Sequence, residues 1–187
     1  MKKSLLSLVA LSACFAFSAR ADLVTVSLYS TFSSQSGGGA PYSGFVGNIT
    51  APDVMFGTDT GYFWSPLGLT EFGADITGAL LIPTIGSYTF GLESDDGSLF
   101  FIDNTLVADH GGPSPIFDQV TGTATLTAGV HPFEIQFFEC CAGHSGVDLT
   151  LPSNVTYTAP PPTPEPATLA LLLTGIAATA LLRSRKR

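Results

Sequence analysis

The sequence predicts an all-β domain, folded as an antiparallel β-sandwich, and three observations support this prediction. Short runs of β-branched and aromatic residues alternate with turns rich in Gly, Pro and Asp along the central part of the chain. The 187 residues include 20 Gly, 13 Pro and 14 Phe, while only 12% are charged, which is about half the usual fraction. No segment of the central part keeps a helical period, so a sandwich is the expected architecture.

The first 21 residues have the pattern of a secretory signal peptide. Lysines at 2–3 precede an apolar run at 5–17, and 19–21 has the small-x-small pattern that signal peptidase accepts. Residues 11–14 also resemble a lipobox, which would attach a lipid to Cys14, but the apolar run continues beyond that cysteine. The sequence therefore predicts export of a chain that begins at residue 22.

Residues 22–158 form the predicted sandwich domain. Seven segments have the composition of strands: 23–29, 77–82, 87–92, 99–102, 122–127, 132–138 and 147–151. The Ser/Gly-rich stretch 33–47 predicts a loop, and the stretch 54–68 is irregular but aromatic. We expect its aromatic rings to fill the core, and an exposed Tyr62 or Trp64 could instead stack on a sugar. Asp103 and Asn104 predict a turn between two strands.

The C-terminal part predicts a linker followed by a membrane span. Residues 159–166 form a stiff, extended linker because consecutive prolines fix φ and remove backbone donors. The uncharged run 167–182 would form a helix of about 24 Å, which can span a hydrocarbon core of ~30 Å if flanking arginines snorkel or the bilayer thins. The basic tail at 183–187 predicts a cytoplasmic end and an external domain.

This tail resembles a known sorting signal. Pro164-Glu165-Pro166, the apolar run and the basic cluster occur in order and are similar to the PEP-CTERM signal of Gram-negative bacteria. The resemblance implies a precursor held transiently in the inner membrane, cleaved by an exosortase, and a mature form at the cell surface or in the extracellular matrix. A plain single-pass anchor is the alternative.

The distribution of charge excludes several classes of function. All seven Lys and Arg residues lie within the first 20 or the last five positions, so the segment 22–166 contains all fifteen Asp and Glu residues and no cationic side chain. Such a domain repels DNA, RNA and anionic lipid, and nucleic-acid binding is excluded. With no salt-bridge partner for these carboxylates, a divalent metal is their natural counterion.

The central sequence resembles the protective-antigen-like (PA14) domain. The similarity is strongest from Phe72 to Glu139. Its most specific parts are Ser94-Asp-Asp-Gly97, which follows a Gly-Ser-Tyr-Thr-Phe strand, and Ala128-Gly-Val-His-Pro132, which precedes a strand ending in Phe-Glu. The resemblance implies a β-sandwich and, in the lectin members of the family, a calcium-dependent carbohydrate site.

The lectin members grip one Ca²⁺ with an Asp-cis-Asp peptide and with a side chain at the end of a later strand. The matching positions are Asp95, Asp96 and Glu139, and main-chain carbonyls near Cys141 and Gly143 would complete a shell of six to eight oxygens. Without the resemblance, Asp95-Asp96-Gly97 would be interpreted as an exposed turn. The implied carbohydrate-binding residues are Asp95, Asp96, Cys140, Cys141, Gly143 and His144.

Once Cys14 leaves with the signal peptide, Cys140 and Cys141 are the remaining cysteines. A trans peptide holds neighbouring Cα atoms about 3.8 Å apart, below the usual disulfide range of about 4.4–6.8 Å. We still predict a vicinal disulfide, because free thiols rarely persist outside the cytoplasm. It would form a rigid apolar patch beside Glu139 on which a sugar ring could rest. Intermolecular bridging and a soft-metal site with His144 are the alternatives.

These observations favour a secreted, noncatalytic, calcium-dependent carbohydrate-binding module in an exopolysaccharide or biofilm matrix. The second hypothesis is a structural envelope or matrix protein in which calcium only stabilises loops. A glycosidase is disfavoured, because its two acids must lie about 5–9.5 Å apart across a cleft and no spacing here suggests such a pair. The chain also has no nucleophile elbow, phosphate loop or zinc-protease motif. We assign no catalytic residue, and His131, at a strand start, is expected to be structural.

Overall fold

The computed structural model describes residues 23–32, 42–113, 117–141 and 143–160. This part of the chain forms two antiparallel sheets, with two short 3₁₀ turns at Thr58–Thr60 and Pro66–Gly68. The ten strands are β1 Val24–Thr31, β2 Ser43–Ala51, β3 Phe72–Ile82, β4 Gly86–Asp95, β5 Ser98–Ile102, β6 Thr105–His110, β7 Asp118–Leu126, β8 Gly129–Glu139, β9 Gly146–Thr150 and β10 Thr156–Thr158.

The larger sheet has seven strands, in the order β2-β1-β3-β8-β5-β6, with β10 also paired to β3. Its centre is the pairing of β3 with β8, which runs from Phe72 opposite Glu139 to Ile82 opposite Gly129. On the other edge of β3, β1 pairs with the first half and β10 with the second half. The smaller sheet has the order β7-β4-β9. The prediction of an all-β, antiparallel fold is confirmed.

The core lies between the two sheets and combines aliphatic with aromatic side chains. Alternate residues of β8 and β4 point inward, as expected for strands with one face in a core. Phe90 of β4 meets Phe100 of β5 edge to face, with ring centroids 5.4 Å apart, and Phe137 packs on Phe72 at 5.7 Å. Aromatic contacts of this kind add to the stabilisation from burial alone.

Each of the seven predicted segments overlaps an observed strand, but three strands were missed. β2 begins at Ser43, inside the stretch predicted as a loop, and much of it is exposed on both faces. Such an edge strand has no alternating pattern that a sequence could reveal. β6 and β10 are short, with six and three residues. The predicted turn at Asp103 and Asn104 is present, and both residues have positive φ angles, 51° and 61°.

Several sequence predictions concern residues outside the described part of the chain. These are the signal peptide at 1–21, the lipobox with Cys14, the linker beyond Pro160, the apolar helix at 167–182 and the basic tail. They remain predictions. Within the described ranges, no helix has the length and apolar character needed to cross a membrane.

Candidate functional site

The candidate site lies at one end of the sandwich, where the chain crosses from the smaller sheet to the larger one. β4 ends at Asp95, and Asp96 and Gly97 connect it to β5. The backbone N–H of Phe138, near the end of β8, donates to the carbonyl oxygen of Gly97 at 3.0 Å. This bond holds the connection against β8, and so places both aspartates beside Glu139.

Three carboxylates converge at this crossing. One oxygen each of Asp95, Asp96 and Glu139 lies within 4.8 Å of the other two, and the peptide bond between the aspartates is cis. The three residues are only 5%, 4% and 2% exposed. The backbone N–H of Cys140 donates to Asp96 Oδ2 at 2.8 Å. The backbone N–H of Cys141 donates to Glu139 Oε1 at 3.4 Å.

Burial and mutual repulsion dominate the electrostatics of the cluster and raise the pKa values of Asp95 and Glu139. Burial and, after it, the nearby Asp96 raise the pKa of Glu139 from 4.5 to about 7. Burial and Asp96 also raise the pKa of Asp95, while His144 and His110 lower it. No Lys or Arg occurs anywhere in 23–160. A hard dication suits this set of oxygen ligands, because Ca²⁺ binds to carboxylates and carbonyls and would neutralise the charge.

Gly97 is required by the close packing at the crossing. A Cβ at this position would lie 2.4 Å from the ring of Phe138 and 2.7 Å from the carbonyl oxygen of Gly112. The second of these is a backbone atom that cannot move by itself. The glycine of the Asp-Asp-Gly motif therefore lets the two aspartates lie directly against β8.

Cys140 and Cys141 form a disulfide between neighbouring residues, with Cα atoms 3.7 Å apart. Both sulfurs are therefore unavailable as thiolate ligands for a soft metal or for a bridge to a second molecule. The bridge borders the carboxylates, because a ligand atom of each cysteine lies within 4.8 Å of one from Asp96. Cys140 is half-buried and Cys141 is exposed, so one side of the bridge faces solvent next to the cluster.

A comparison with protein-family models identifies the family of this domain. The model of the PA14 domain matches residues 24–162. The chain belongs to the PA14 domain family. Among curated proteins, the comparison finds no match.

Solved structures share the PA14 fold at low sequence identity. An anti-sigma factor domain-containing protein superposes with a TM-score of 0.58 at 16% identity, covering 74% of this chain and 48% of that one. The PA14 domain of the antifreeze protein MpAFP superposes with a TM-score of 0.53 at 15% identity, covering 73% of this chain and 85% of that one. A β-glucosidase from Kluyveromyces marxianus superposes with a TM-score of 0.52 at 14% identity, covering 73% of this chain and 16% of that one. The chain thus spans about half the first protein and a small part of the enzyme.

The aromatic stretch of this PA14 domain meets the sequence expectation in part. Trp64 is buried in the core, as expected, and stacks on Phe56 at 4.3 Å. Tyr62 is partly exposed and packs against Phe117. The exposed ring next to the site is Phe63, which the sequence analysis did not single out; it lies 5.0 Å from the ring of His144.

This stretch also forms a pocket beside the carboxylates. The pocket has a volume of about 170 Å³, and its lining includes Phe63, Trp64, Leu69, Glu139, Gly143 and Ser145. Glu139 belongs to both the carboxylate cluster and the pocket. Of the predicted sugar-binding residues, Gly143 lines this pocket and His144 lies beside it, on Phe63.

Two other buried groups have structural roles. His131 Nδ1 lies 2.6 Å from Asp103 Oδ2, and its other ring nitrogen lies 3.1 Å from the carbonyl oxygen of Thr127. The expectation that His131 is structural is therefore confirmed. Asp148, which the sequence gave no reason to select, accepts hydrogen bonds from the backbone N–H groups of Gly57 and Thr58 at 2.7 and 2.9 Å. It fixes the start of the aromatic stretch.

The raised pKa values predict how the metal-free PA14 domain responds to pH. The pKa of Glu139 rises from 4.5 to about 7, and burial raises the pKa of Asp75 from 3.8 to about 6. At any pH between the unfolded-state and folded-state pKa values, the folded state therefore binds more protons than the unfolded state. The free energy of unfolding should therefore fall as the pH rises from about 4 to about 7.

Thermal melts followed by circular dichroism in EDTA, from pH 4 to pH 8, would measure this fall. The variant Glu139→Gln should show a shallower decline, because one of the titrating groups is removed. Excess Ca²⁺ should restore stability at pH 7 and above, where the carboxylates are ionised. A melting temperature in EDTA that rises over the same interval would contradict the prediction.

Proposed function

We propose that this chain is an exported, noncatalytic protein that binds carbohydrate through a calcium ion. The observation that carries the proposal is the group of three buried carboxylates, Asp95, Asp96 and Glu139, whose oxygens converge at one end of a PA14 domain. Buried charges need a counter-charge, and the family membership supports calcium in that role.

The residues around the cluster would have two roles, binding the ion and contacting the sugar. Asp95, Asp96 and Glu139 hold the ion, and carbonyl groups near Cys141 and Gly143 are candidates for further ligands. The ion itself would supply open coordination positions for neighbouring sugar hydroxyls. The Cys140–Cys141 bridge offers a rigid apolar surface next to the ion. Gly143 and His144, on the loop that follows, would influence which sugar fits.

The predicted termini support a place outside the cytoplasm. The signal peptide, the Pro-rich linker and the PEP-CTERM-like tail together favour export by signal peptidase and sorting by an exosortase in a Gram-negative bacterium. The mature form would then act at the cell surface or in the matrix, with exopolysaccharide as a candidate ligand. The acidic surface would keep the domain apart from nucleic acid.

A structural protein is the second candidate, because the cluster also connects the two sheets. Asp95 ends a strand of the smaller sheet and Glu139 ends a strand of the larger sheet. An ion held between them would stabilise the fold even if no sugar bound. A glycosidase fits less well, because the carboxylate oxygens converge on one point instead of lying on two sides of a substrate.

A glycan array, probed with the purified protein in the presence of Ca²⁺ and of EDTA, would test the proposal. We expect one class of glycan to be retained in Ca²⁺, lost in EDTA and recovered when Ca²⁺ is added back. If no glycan binds in either condition while Ca²⁺ still raises the melting temperature, the structural role would replace the lectin role. Binding that persists in EDTA would reject the requirement for calcium.

A further inference from the structure

The sandwich has two lateral sides, and on one of them the edge strands of the two sheets close against each other. β6 is the last strand of the larger sheet, and β7 is the first strand of the smaller one. Their backbones meet so closely that a Cβ on Gly122 of β7 would lie 1.9 Å from the carbonyl oxygen of Val107 of β6. At this contact neither strand can accept a further strand.

On the other side, the aromatic stretch of the chain covers the free edge of β9 in the smaller sheet. The N–H of Phe56 donates to the carbonyl oxygen of Val147 at 3.0 Å, and the N–H of Leu149 donates to that of Val54 at 2.9 Å. β2, in the larger sheet, differs from β9 in this respect. It is the last strand in the order of its sheet, and within the described ranges β1 is the one strand with which it pairs.

β2 lacks most of the features that keep an edge strand from pairing with other chains. Its nine residues include no charged side chain and no proline, and none of them is buried. Phe45 is 60% exposed and Val46 is 43% exposed. Natural proteins commonly protect an exposed edge with charges, proline, a bulge or a covering segment. The bulge opposite Leu28 and Tyr29 leaves residues 47–51 in regular register with β1, so this part of the edge remains suited to strand pairing.

The charge of the domain decides which strand fits this edge. Residues 23–160 contain no Lys or Arg, so two copies of the domain repel each other wherever acidic surfaces meet. The other terminal strands of the two closed edges, β6 and β7, carry Asp109 and Asp118, whereas β2 carries no charge. Both faces of β2 are exposed, so no buried face imposes a register on a new partner. A second copy of β2 meets these requirements.

We propose that β2 is a self-association surface, at which two copies of the chain pair antiparallel about a two-fold axis and join their larger sheets. An interface of this symmetry uses the same patch on both subunits. The pairing area is small, so the dimer is weak, and salt strengthens it by screening the repulsion between two anionic domains. The dimer holds two carboxylate clusters, so a polymer bound at one cluster meets the other at a high effective concentration.

Analytical ultracentrifugation of the full chain over a range of concentrations would test the inference. We expect a monomer–dimer equilibrium with a Kd of about 10–100 μM, and a lower Kd in about 0.5 M NaCl than in about 0.1 M NaCl. Asn48→Asp preserves the size of an exposed side chain and adds one negative charge to each copy of β2. Because like charges on paired strands repel, this variant should raise the Kd about fivefold or more.

Asn104→Asp is the matched control. It makes the same chemical change at an exposed position in the turn between β5 and β6, and Asp is tolerated at its positive φ of 61°. This variant should dimerise as the native chain does. Both variants have the same termini, so association through residues outside the described ranges cannot produce a difference between them.

Hydrogen exchange at low and high protein concentration would locate the contact. The amides of residues 43–51 should exchange more slowly as the concentration rises, because a second strand protects an edge that now faces solvent. The amides of residues 118–126, in β7, should exchange at the same rate at both concentrations. Circular dichroism of the two variants would confirm that each one retains the native fold.

Three results would overturn the inference. A chain that remains monomeric at about 200 μM in both salts would reject a second copy and leave a strand of a different protein as the occupant of the edge. Equal Kd values in the two variants, or association without slower exchange in β2, would place the contact elsewhere. The absence of glycan binding on the array would contradict the proposed function alone, because self-association at β2 does not depend on carbohydrate.

Discussion

Replacing Asp96 with asparagine is expected to lower the affinity for Ca²⁺ by about a hundredfold or more. The substitution removes one of three charges that face each other in a buried cluster, and a loss of that size corresponds to about 2.7 kcal/mol of binding energy. The number of charged ligands is a main determinant of calcium affinity. Titration calorimetry with Ca²⁺, and the rise in melting temperature on adding Ca²⁺, would both report the loss.

The matched control is Asp59→Asn, which changes the net charge equally. Asp59 lies exposed in the Thr58–Thr60 turn, so this variant should bind Ca²⁺ as the native chain does. Without metal at pH 8, Asp96→Asn should be at least as stable as the native chain, because it relieves repulsion among buried carboxylates. Equal Ca²⁺ affinity in the two variants would show that the ion binds elsewhere or that the cluster has another purpose.

The second large effect is expected from Gly122→Ala, in the middle of β7. A Cβ at Gly122 would lie 1.9 Å from the carbonyl oxygen of Val107 and 3.0 Å from the Cβ of Ala108. Val107 and Ala108 belong to β6, in the other sheet, so the two sheets meet backbone to backbone here. The strands would have to separate, and we expect a loss of about 3 kcal/mol or more in the free energy of unfolding.

Chemical denaturation of Gly122→Ala, compared with Gly86→Ala, would measure this effect. Both substitutions add one methyl group to a strand of the smaller sheet. At Gly86 the nearest atom to the new Cβ is 3.6 Å away, on the ring of Tyr88, which is an ordinary contact. We expect Gly86→Ala to stay within about 1 kcal/mol of the native chain. Similar losses in both variants would indicate that strand propensity, and not the close approach, decides the cost.

The parts of the fold that could be predicted are those in which side-chain burial alternates along the strand. β8 is the clearest case, because Phe133, Ile135 and Phe137 are separated by more polar or less buried positions. β2 has no such contrast and is positioned by its partner β1, through hydrogen bonds that leave no trace in its composition. The same holds for β10, whose three residues pair with β3.

Some residues of the candidate site could likewise be predicted from the sequence, and others could not. Asp95, Asp96 and Glu139 could be selected because they occupy recognisable positions in a family motif, although they are 44 residues apart at the widest. Phe63 and Ser145 could not be selected. Which ring of the aromatic stretch faces solvent depends on the stacking of Trp64 against Phe56 and on hydrogen bonds to Asp148. The hydrogen bonds to Asp148 join positions about 90 residues apart and have no local signature.

The position of the carboxylates at the crossing between the sheets has a mechanical consequence. Glu139 and Asp95 end strands that belong to different layers, yet their oxygens lie within 4.8 Å. An ion bound there would cross-link the two sheets. A matrix protein pulled by the polymer it grips would then carry part of the tension through metal–oxygen bonds, and the grip on the polymer and the resistance of the domain to rupture would rise and fall together with the supply of calcium.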